Sequence, residues 1–490
     1  MSQRRAIIIG AGFSGLSAAS FLADKGFEVT VLEKNESAGG RARKFESDGF
    51  TFDMGPSWYW MPDVFDKFFE SFGKSTSDYY TLRRLDPSYR IYWGVNDFND
   101  LPANFESYAA MFESLEKGGA NQLRKFLKGA EYKYEVGVKN LVYKKSSSPL
   151  EFLDPKLLAG LFKLDVFQSF HKHVRKYFSN PKLLQMVEFP VLFLGGTPQS
   201  TPALYSLMNY GDIVLGTWYP EGGMFKIVEG MQKLAESLGA RFNFNQSVSE
   251  ILVDNGWARG VKVGDKLYEA DVIVGSADYN HVEQQLLPKP YRNYTEDYWD
   301  KRVMSPSSII FYLGIDKRLN GFKHHTLLFD EDFNLHADEI YSDPKWPTRP
   351  SVYISNTSKS DATVAPEGME NLMVLIPVAP GLEDTDEMRE KYYDYVITKL
   401  EKYSKTNIRD HVVFKRSYAH NDFQEDYNSF KGNAYGLANT LMQTAFLKPK
   451  MQSNKVKNLF YAGQLTVPGP GVPPAIISGQ VAATEIIKNF

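Results

Sequence analysis

The stretch AIIIGAGFSGLSAASFLADKGFEVTVLEKNESAGGRAR, residues 6–43, decides the fold of this chain. It opens with an apolar, mostly β-branched run, which predicts a buried parallel strand. A G-x-G-x-x-G motif follows at once, then a helical run rich in small residues and a second apolar strand at 29–32. Strand, glycine-rich turn, helix and strand make a complete βαβ unit, which predicts a Rossmann-type dinucleotide-binding domain.

The three glycines of the motif have different predicted roles. Gly10 permits a tight turn, and Gly12 lets the backbone approach a pyrophosphate because no Cβ stands in the way. The helix that follows offers free backbone N–H groups to phosphate oxygens. Glu33 ends the second strand, 18 residues after Gly15 (33 − 15), where an acidic side chain accepts hydrogen bonds from a ribose 2′-OH. A dinucleotide without a 2′-phosphate is therefore predicted.

Charge and composition argue against several other functions. The 490 residues hold 56 Lys and Arg against 59 Asp and Glu, a formal net charge of −3, so there is no basic excess to hold nucleic acid. Cysteine is absent, which excludes thiolate metal sites, and the eight histidines show no ligand spacing such as H-E-x-x-H. No run of about 18 apolar residues predicts a membrane-spanning helix. We expect no nucleic-acid partner and no metal.

Further segments resemble one group of flavoproteins along nearly the whole chain. The second glycine pair with its arginines, GGRAR at 39–43, is similar to the superfamily of amine oxidases, protoporphyrinogen oxidase and carotenoid desaturases. The match narrows at 49–62, GFTFDMGPSWYWMP, and at 458–483, NLFYAGQLTVPGPGVPPAIISGQVAA, which resemble bacterial-type phytoene desaturases. Two internal blocks resemble the same family, 216–251 and 432–449.

The resemblance implies FAD as the cofactor and indicates which residues would bind it. They lie in the βαβ unit, in the second glycine turn, in the segment after it, in the internal block 216–251 and in the C-terminal signature: Gly10, Gly12, Phe13, Ser14, Gly15, Glu33, Lys34, Gly40, Arg41, Gly55, Pro56, Ser57, Val248, Gly463, Gln464, Pro470, Gly471, Val472 and Pro473. One position departs from related flavoproteins, which often carry an acidic residue where this chain has Gln464. An amide still hydrogen-bonds, but a carboxylate's role does not carry over.

The predicted fold is of mixed α/β class, with a discontinuous Rossmann-type FAD-binding domain and a second domain for the substrate. FAD is long, so its two ends need protein from segments far apart in sequence. We expect the FAD-binding domain to comprise 1–95, 220–290 and 410–490. The remaining 96–219 and 291–409 carry little glycine patterning and are predicted to form a substrate-binding domain with a mixed sheet.

Residues 155–178 are the candidate membrane-contact helices. Apolar residues recur there at intervals of three and four, interleaved with Lys163, Lys172, Arg175 and Lys176. A basic amphipathic helix lies in a membrane interface, but the same pattern also fits ordinary helices that face the core. The family resemblance favours the membrane because a C40 polyene resides in a bilayer. We therefore expect a cytoplasmic protein, peripherally associated with the inner face of the membrane.

The resemblance implies dehydrogenation of an acyclic carotenoid, which offers no charged group for recognition. Recognition would rest on the shape of a long apolar tunnel. Hydride would leave an allylic carbon for flavin N5, and a proton would leave the adjacent carbon. Asp53, Arg41 and Tyr435 are the candidate catalytic residues, and the sequence identifies none of them as a general base. The pair His324 and His325 is predicted to lie in a solvated loop.

The predicted function is an FAD-dependent carotenoid desaturase, first of all a phytoene desaturase forming conjugated products such as lycopene. Its electrons would pass to an acceptor such as a quinone or oxygen. The alternatives are a desaturase of hydroxylated or later carotenoids (3,4-desaturase type), a carotene cis–trans isomerase, an amine oxidase, and a flavoprotein without catalytic function. The sequence does not determine the number of desaturation steps, the product isomer, the acceptor or the oligomeric state.

Overall fold

The computed structural model of the chain describes residues 3–146, 164–440 and 442–490. The strands are β1 Arg5–Ile9, β2 Glu28–Leu32, β3 Lys44–Ser47, β4 Phe50–Asp53, β5 Leu82–Arg84, β6 Tyr89–Gly94, β7 Asp97–Leu101, β8 Trp218–Pro220, β9 Arg241–Asn243, β10 Glu250–Asp254, β11 Trp257–Val263, β12 Lys266–Glu269, β13 Val272–Gly275, β14 Ser307–Ile315, β15 His325–Leu328, β16 Val352–Ser355, β17 Glu370–Val378, β18 Val412–Tyr418 and β19 Leu459–Tyr461. The α-helices longer than a single turn are α1 Phe13–Asp24, α2 Pro62–Glu70, α3 Phe105–Leu115, α4 Gly119–Val136, α5 Phe170–Val174, α6 Pro181–Glu188, α7 Phe225–Ser237, α8 Glu296–Asp300, α9 Phe333–Tyr341, α10 Asp386–Ser404, α11 His420–Tyr427 and α12 Val472–Asn489.

A parallel sheet holds the N-terminal glycine turn at the carboxyl end of β1. Its strand order in the described part of the chain is β19-β13-β1-β2-β9, and each neighbouring pair is parallel. β1 is buried on both faces: Ala6 and Ile8 belong to one core cluster, and Ile7 and Ile9 belong to another. Ligands of open α/β sheets bind beyond the carboxyl ends of the strands, where this turn lies.

Helices α1 and α12 pack closely on one side of this sheet. Ser17 Oγ in α1 donates a hydrogen bond to the carbonyl of Ile476 in α12 at 2.7 Å. A Cβ on Gly479 would stand 2.1 Å from the carbonyl oxygen of Ser14. Glycine is therefore required at the crossing of the two helices, and this contact joins the two ends of the chain.

A mixed sheet forms the opposite half of the molecule. Its order in the described residues is β18-β14-β17-β16-β15-β6-β7, in which β6 and β15 pair in parallel and the other pairs are antiparallel. Side chains of β14 alternate between its faces: Ile309 and Phe311 pack in a cluster with α10, whereas Ile310 and Tyr312 join the central core. The sheet therefore has one face covered by α10 and one face turned toward the interior.

The predicted mixed α/β class is confirmed, whereas the domain boundaries stay a prediction. The parallel sheet takes its strands from all three predicted cofactor segments. However, β6 and β18, which lie inside 1–95 and 410–490, pair into the mixed sheet. β6 pairs with β15 across more than 200 residues, and β18 pairs with β14 across about 100. Glycine patterning along the chain carries no signal for such long-range pairing.

The predicted membrane-contact segment, residues 155–178, is only partly described, because 155–163 lie outside the described residues. In the described part, Leu164, Phe170 and Val174 are buried, so these apolar positions face the core. Phe167 is the exception, with 87% of its surface exposed. Among the described residues, no helix has both the length and the apolar character needed to cross a bilayer.

Candidate active site

One cavity of about 450 Å³ extends from the N-terminal glycine turn to the inner face of the mixed sheet. It brings together nearly every residue that the sequence predicts for cofactor binding. Those in its wall are Gly10, Gly12, Phe13, Ser14, Glu33, Lys34, Gly40, Arg41, Gly55, Pro56, Ser57, Val248, Gly463, Gln464, Pro470, Gly471, Val472 and Pro473. Gly15 is the one predicted residue that does not line it.

The surroundings of the three motif glycines differ. Gly10 has a φ of +100°, which an L side chain rarely adopts. A Cβ on Gly15 would stand 2.1 Å from the carbonyl oxygen of Gly10, so Gly15 allows α1 to begin directly against the turn. Gly12 has an ordinary extended backbone, and a Cβ there would meet no protein atom within 4 Å. The empty side of Gly12 faces the cavity, as expected of a residue that leaves room for a diphosphate.

Glu33 is held rigidly at the end of β2. Its Oε2 accepts a hydrogen bond from the backbone N–H of Ala11 at 2.8 Å, and its Oε1 accepts one from Asn35 at 2.9 Å. A carboxylate has about four acceptor sites, so lone pairs are left for a further donor. Lys34, the next residue, donates instead to the backbone carbonyl of Glu425. Ribose recognition by Glu33 stays a prediction that this geometry permits.

The second glycine turn packs directly on the first. The backbone N–H of Gly39 donates to the carbonyl of Ala11 at 2.9 Å, and a Cβ on Gly40 would stand 3.3 Å from Gly12 Cα. The two turns therefore approach the same region of the cavity. A Cβ on Gly55 would stand 2.1 Å from the carbonyl oxygen of Arg41, which brings the segment after β4 into the same wall.

Arg41 is a buried cation in this wall. One of its terminal nitrogens donates to Ser429 Oγ at 3.0 Å, while its buried Nε has no hydrogen-bond partner among the described residues. Burial lowers the pKa of Arg41, and the nearby Asp278 carboxylate opposes that effect. Burial also raises the pKa of Asp278 to about 6, against the opposing effect of Arg41. Arg41 and Asp278 are thus two opposite charges at the end of the cavity where the glycine turns lie.

The C-terminal signature closes the same end of the cavity. The backbone N–H of Gly463 donates to Ser478 Oγ at 3.0 Å, and α12 starts at Val472 with two prolines in its first turn. Gln464 lines the cavity, and its buried Nε2 has no hydrogen-bond partner in the described part of the chain. An unpaired buried donor, a helix N-terminus and the open face of Gly12 together fit a cofactor that carries phosphates and hydrogen-bond acceptors.

The far end of the cavity is aromatic and apolar. Side chains from the mixed sheet, from α9 and from the segments around 58 and 190 form it: Trp58, Trp60, Met61, Phe189, Leu192, Met208, Ile310, Leu327, Phe329, Phe333, Ile340, Tyr341, Tyr353, Leu375 and Tyr435. Such a wall binds an apolar molecule by shape, with few polar groups to orient it.

The prediction of a solvated loop at His324 and His325 is wrong. His324 is 4% exposed and His325 is fully buried as the first residue of β15. The ring of His325 stacks on Trp58 with centroids 4.1 Å apart, and its Nδ1 lies 2.8 Å from the hydroxyl of Tyr353. Burial lowers the pKa of His325 well below its ordinary value, so the ring is neutral. The error arose because β15 pairs on one side with β6, which lies more than 200 residues earlier in the chain.

The three candidate catalytic residues separate into two places. Arg41 and Tyr435 line the main cavity. Asp53 lies at the end of β4 in the wall of a separate small chamber, and its carboxylate accepts hydrogen bonds from the backbone N–H groups of Met224 and Phe225 at 2.8 and 3.0 Å. That carboxylate therefore caps the start of α7. Direct contact of Arg41 and Tyr435 with the reacting groups stays a prediction.

Comparison with known proteins identifies the family. Residues 13–487 match the family described as flavin containing amine oxidoreductase. The chain is 41% identical to a carotenoid 3,4-desaturase of Haloarcula japonica, over 100% of this chain and 99% of that protein. It is 33% identical to a 4,4′-diapophytoene desaturase of Staphylococcus haemolyticus (99% and 98% covered) and 31% identical to a zeta-carotene-forming phytoene desaturase of Myxococcus xanthus (99% and 94% covered).

The chain belongs to the carotenoid desaturase family of the flavin-containing amine oxidoreductases. The resemblance found in the sequence is thereby confirmed, and the protein is a flavin-dependent oxidoreductase. The glycine turns, Gln464 and the start of α12 are the parts of this desaturase family member that would hold the flavin.

Solved structures show the same fold at low sequence identity. An oxidoreductase from Methanosarcina mazei aligns with a TM-score of 0.63 at 17% identity. The alignment covers 97% of the chain described here and 98% of the Methanosarcina chain. Putrescine oxidase in complex with putrescine aligns with a TM-score of 0.61 at 15% identity, covering 99% of each chain. These likenesses concern the fold alone.

Several residues of the site escaped the sequence analysis. Asp278 could have been found, because it follows the buried strand β13 at the carboxyl edge of the sheet, where ligands bind. Phe189 and Met208 carried no such signal, since their segments read as ordinary apolar helix.

Proposed function

We propose that the protein is an FAD-dependent carotenoid desaturase that introduces a 3,4 double bond into an acyclic carotenoid. The observation that carries this proposal is the 41% identity, over the full length, to a carotenoid 3,4-desaturase, against 31–33% for the phytoene and diapophytoene desaturases. Phytoene desaturation, the first prediction from the sequence, is kept as the second candidate because those relatives also align over nearly the whole chain.

The proposed cofactor is FAD because the cavity has separate features for both of its halves. The open side of Gly12 and the carboxylate of Glu33 suit a diphosphate and a ribose, and the start of α12 with Gln464 suits the ring end. When bound, FAD supplies the hydride acceptor. The protein's own task is then to hold a carotenoid against it and to exclude water from the cavity.

The apolar end of the cavity suits a carotenoid, and its polar exceptions favour a later intermediate over phytoene. Tyr341 and Tyr435 place hydroxyl groups in a wall that a pure hydrocarbon would not require. Burial raises the pKa of Tyr435 to about 12. Burial also raises the pKa of Tyr341, and the nearby Tyr435 raises it further. Two neutral hydroxyls are suitable partners for an oxygen atom on a hydroxylated carotenoid.

The direct test is to present the purified flavoprotein, in vesicles, with phytoene, with lycopene and with a hydroxylated acyclic carotenoid, and to identify the products by chromatography. The proposal predicts a 3,4-desaturated product from the later carotenoids and little conversion of phytoene. Conversion of phytoene to coloured products would establish the second candidate. A change of isomer without any loss of hydrogen would point to an isomerase and contradict both.

Tyr341→Phe separates the two substrate classes further. If Tyr341 recognises a substrate hydroxyl, the change lowers kcat/KM for the hydroxylated carotenoid by roughly tenfold, the value of about one buried hydrogen bond. The kcat/KM for lycopene stays within about twofold, because that substrate has no hydroxyl to lose. Equal effects on both substrates would contradict hydroxyl recognition by Tyr341.

We further propose peripheral contact with a lipid membrane through one exposed apolar cluster, formed by Phe167, Met442, Phe446 and Leu447. Their exposed fractions are 87%, 75%, 41% and 39%. Segment 202–205 links the two parts of the cluster: Ala203 N–H donates to the carbonyl of Gln168 at 2.7 Å, and the Tyr205 hydroxyl lies 3.3 Å from Thr444 Oγ1. The next turn carries Met208 of the cavity wall.

Basic residues border this cluster, as anionic lipid would require. Lys172, Arg175 and Lys176 are exposed on and just after α5, next to Phe167 in sequence. A carotenoid would then enter from the bilayer, and a membrane quinone, or alternatively oxygen, would take the electrons. If turnover without oxygen starts when a quinone is added, this supports the quinone as acceptor. If turnover requires oxygen, this supports oxygen as acceptor.

A further inference from the structure

A small second chamber lies behind the wall of the main cavity. Its volume is about 20 Å³, which is enough for one water molecule. Its lining combines polar and apolar side chains, namely Phe52, Asp53, Ser57, Met224, Ser355, Thr357, Asn371 and Met373. A water needs two or more polar partners to be stable inside a protein, and these walls provide them.

Ser57 belongs to the walls of both the chamber and the main cavity. Its Oγ lies 2.8 Å from the hydroxyl of Tyr353, which itself lines the main cavity and lies 2.8 Å from His325 Nδ1. Ser355 lies two residues after Tyr353 in β16, and it lines the chamber. A row of hydroxyl groups therefore connects the substrate side of the wall to the chamber side.

Asp53 is the carboxylate at the far side of the chamber. Both of its oxygens accept backbone N–H groups at the start of α7, so the side chain is fixed in place. Burial raises its pKa to about 6, although those two hydrogen bonds lower it. A carboxylate in this range is ionised at neutral pH and can still take up a proton, the property that a proton acceptor needs.

Resting on the desaturase function proposed above, we propose that Ser57, one water in the small chamber and Asp53 form the path by which the substrate proton leaves. Desaturation removes a hydride from one carbon, for which a bound flavin would be the acceptor, and a proton from the neighbouring carbon. The C–H bond of that neighbouring carbon breaks, its electron pair forms the new C=C bond, and the proton goes to Ser57 Oγ. The hydroxyl proton of Ser57 moves through the water to the Asp53 carboxylate, which becomes a carboxylic acid.

The apolar wall explains why such a path is needed. Most of the cavity at the substrate end is aromatic or aliphatic, and the imidazole of His325 is buried behind Trp58 with its pKa well below the ordinary value. Asp278 and Arg41 lie at the phosphate end with the first glycine turn. Ser57 and Tyr353 line the cavity and form a hydrogen-bonded pair of hydroxyls. Ser57 also lines the small chamber that contains the Asp53 carboxylate.

The kinetic test follows flavin reduction, without oxygen, by a carotenoid that the wild-type protein oxidises. Ser57→Ala is expected to slow this step by roughly a hundredfold or more, as for loss of an acid–base group, with little change in KM. Ser57→Thr keeps a hydroxyl and restores the rate, and the surface control Ser71→Ala, whose hydroxyl bonds Lys67 within α2, changes nothing. The wild-type step is also slower in D₂O, and Ser57→Ala abolishes that solvent effect. Wild-type kinetics in Ser57→Ala would overturn the path.

A second measurement does not depend on turnover and so separates the path from the proposed function. Below pH 6 the infrared spectrum should contain the C=O stretch of protonated Asp53, which Asp53→Asn removes. Ser57→Ala should shift that band, because the water between the two side chains loses a partner, while Ser71→Ala leaves it in place. A band unaffected by Ser57→Ala contradicts the path. If no carotenoid reduces the flavin of the wild-type protein, the desaturase proposal is contradicted instead. The infrared result then still decides whether Ser57 and Asp53 are connected through the water.

Discussion

Gly12 and Gly15 lie three residues apart in one motif, and the structure assigns them opposite roles. Gly15 is surrounded by protein, with the Gly10 carbonyl oxygen 2.1 Å from a Cβ placed there. Gly12 has nothing within 4 Å on that side, and its backbone is ordinary. One glycine is therefore required for folding, and the other is required only by what fills the cavity.

Gly12→Val should yield a folded protein that does not retain flavin. The β-branched side chain fits the extended backbone of Gly12 and occupies the space of the diphosphate. The measurement is the ratio of visible flavin absorbance to protein absorbance after purification, together with the melting temperature.

Gly15→Ala should instead lower the free energy of unfolding by about 2 kcal/mol through overpacking. Gly129→Ala, inside α4 with no atom within 4 Å, is the matched control and should be neutral or stabilising by about 1 kcal/mol. Full flavin content in Gly12→Val would contradict the assigned role of the first turn.

Lys448 allows a prediction about pH. Its Nζ is buried with no hydrogen-bond partner in the described part of the chain, and burial lowers its pKa to about 7. The folded state thus binds this proton less tightly than the unfolded state, whose lysine has the ordinary value of 10.5. The cost of burying the charge is present in full below pH 7 and disappears as the pH rises toward 10.5.

Lys448→Met should therefore raise the free energy of unfolding near pH 6, by roughly 1 kcal/mol or more, since an unpaired buried charge is replaced by an apolar chain of similar length. The gain should shrink as the pH approaches 10. Denaturant titrations of both proteins across this range measure it. A gain that grows with pH would show that Lys448 is charged and paired in the folded state.

At the scale of elements, the local motifs were predictable and the long-range pairings were not. The βαβ unit and the start of α12 near Pro473 follow from glycine spacing and proline position, which are local signals. The burial of His325 depends on two neighbouring strands. β6 lies about 230 residues earlier in the chain, and β16 is the next strand after β15. Likewise the sequence indicates Asp53 as a candidate catalytic residue but not its neighbours across the chamber, which come from β16 and β17.

The contact between α1 and α12 is the element-scale feature that positions the flavin end of the cavity. Gly479→Ala would put a Cβ 2.1 Å from the Ser14 carbonyl oxygen, so the helices must move apart. We expect a loss of about 2 kcal/mol in stability together with weaker flavin binding, because Ser14 and Val472 of these helices line the cavity. Thermal melting and flavin titration test this, with Thr484→Ala on the exposed side of α12 as control. Unchanged flavin affinity at reduced stability would show that the helix contact does not position the site.

At the scale of the whole molecule, the two sheets enclose one cavity, with the flavin end at the parallel sheet and the apolar end at the mixed sheet. The exposed apolar cluster of Phe167, Met442, Phe446 and Leu447 is the place where such a molecule would contact a bilayer. Phe167→Ser and Met442→Ser together should weaken binding to anionic vesicles by at least about tenfold, since burying one large apolar side chain is worth about 2 kcal/mol.

Val413→Ser is the control for that measurement, because Val413 is an apolar residue of β18 with 51% of its surface exposed. It should leave vesicle binding, followed by co-sedimentation, unchanged. If the control weakened binding as much as the double variant, contact would not be localised at the cluster.

The function proposed for this cavity is hydride transfer from a carotenoid to a flavin. The most direct measurement mixes the flavin-loaded protein with carotenoid-containing vesicles without oxygen and follows the visible flavin absorbance and the polyene spectrum together. We expect loss of the flavin band in step with the appearance of a longer conjugated polyene. A flavin that stays oxidised with every acyclic carotenoid, but is bleached by an amine, would contradict it.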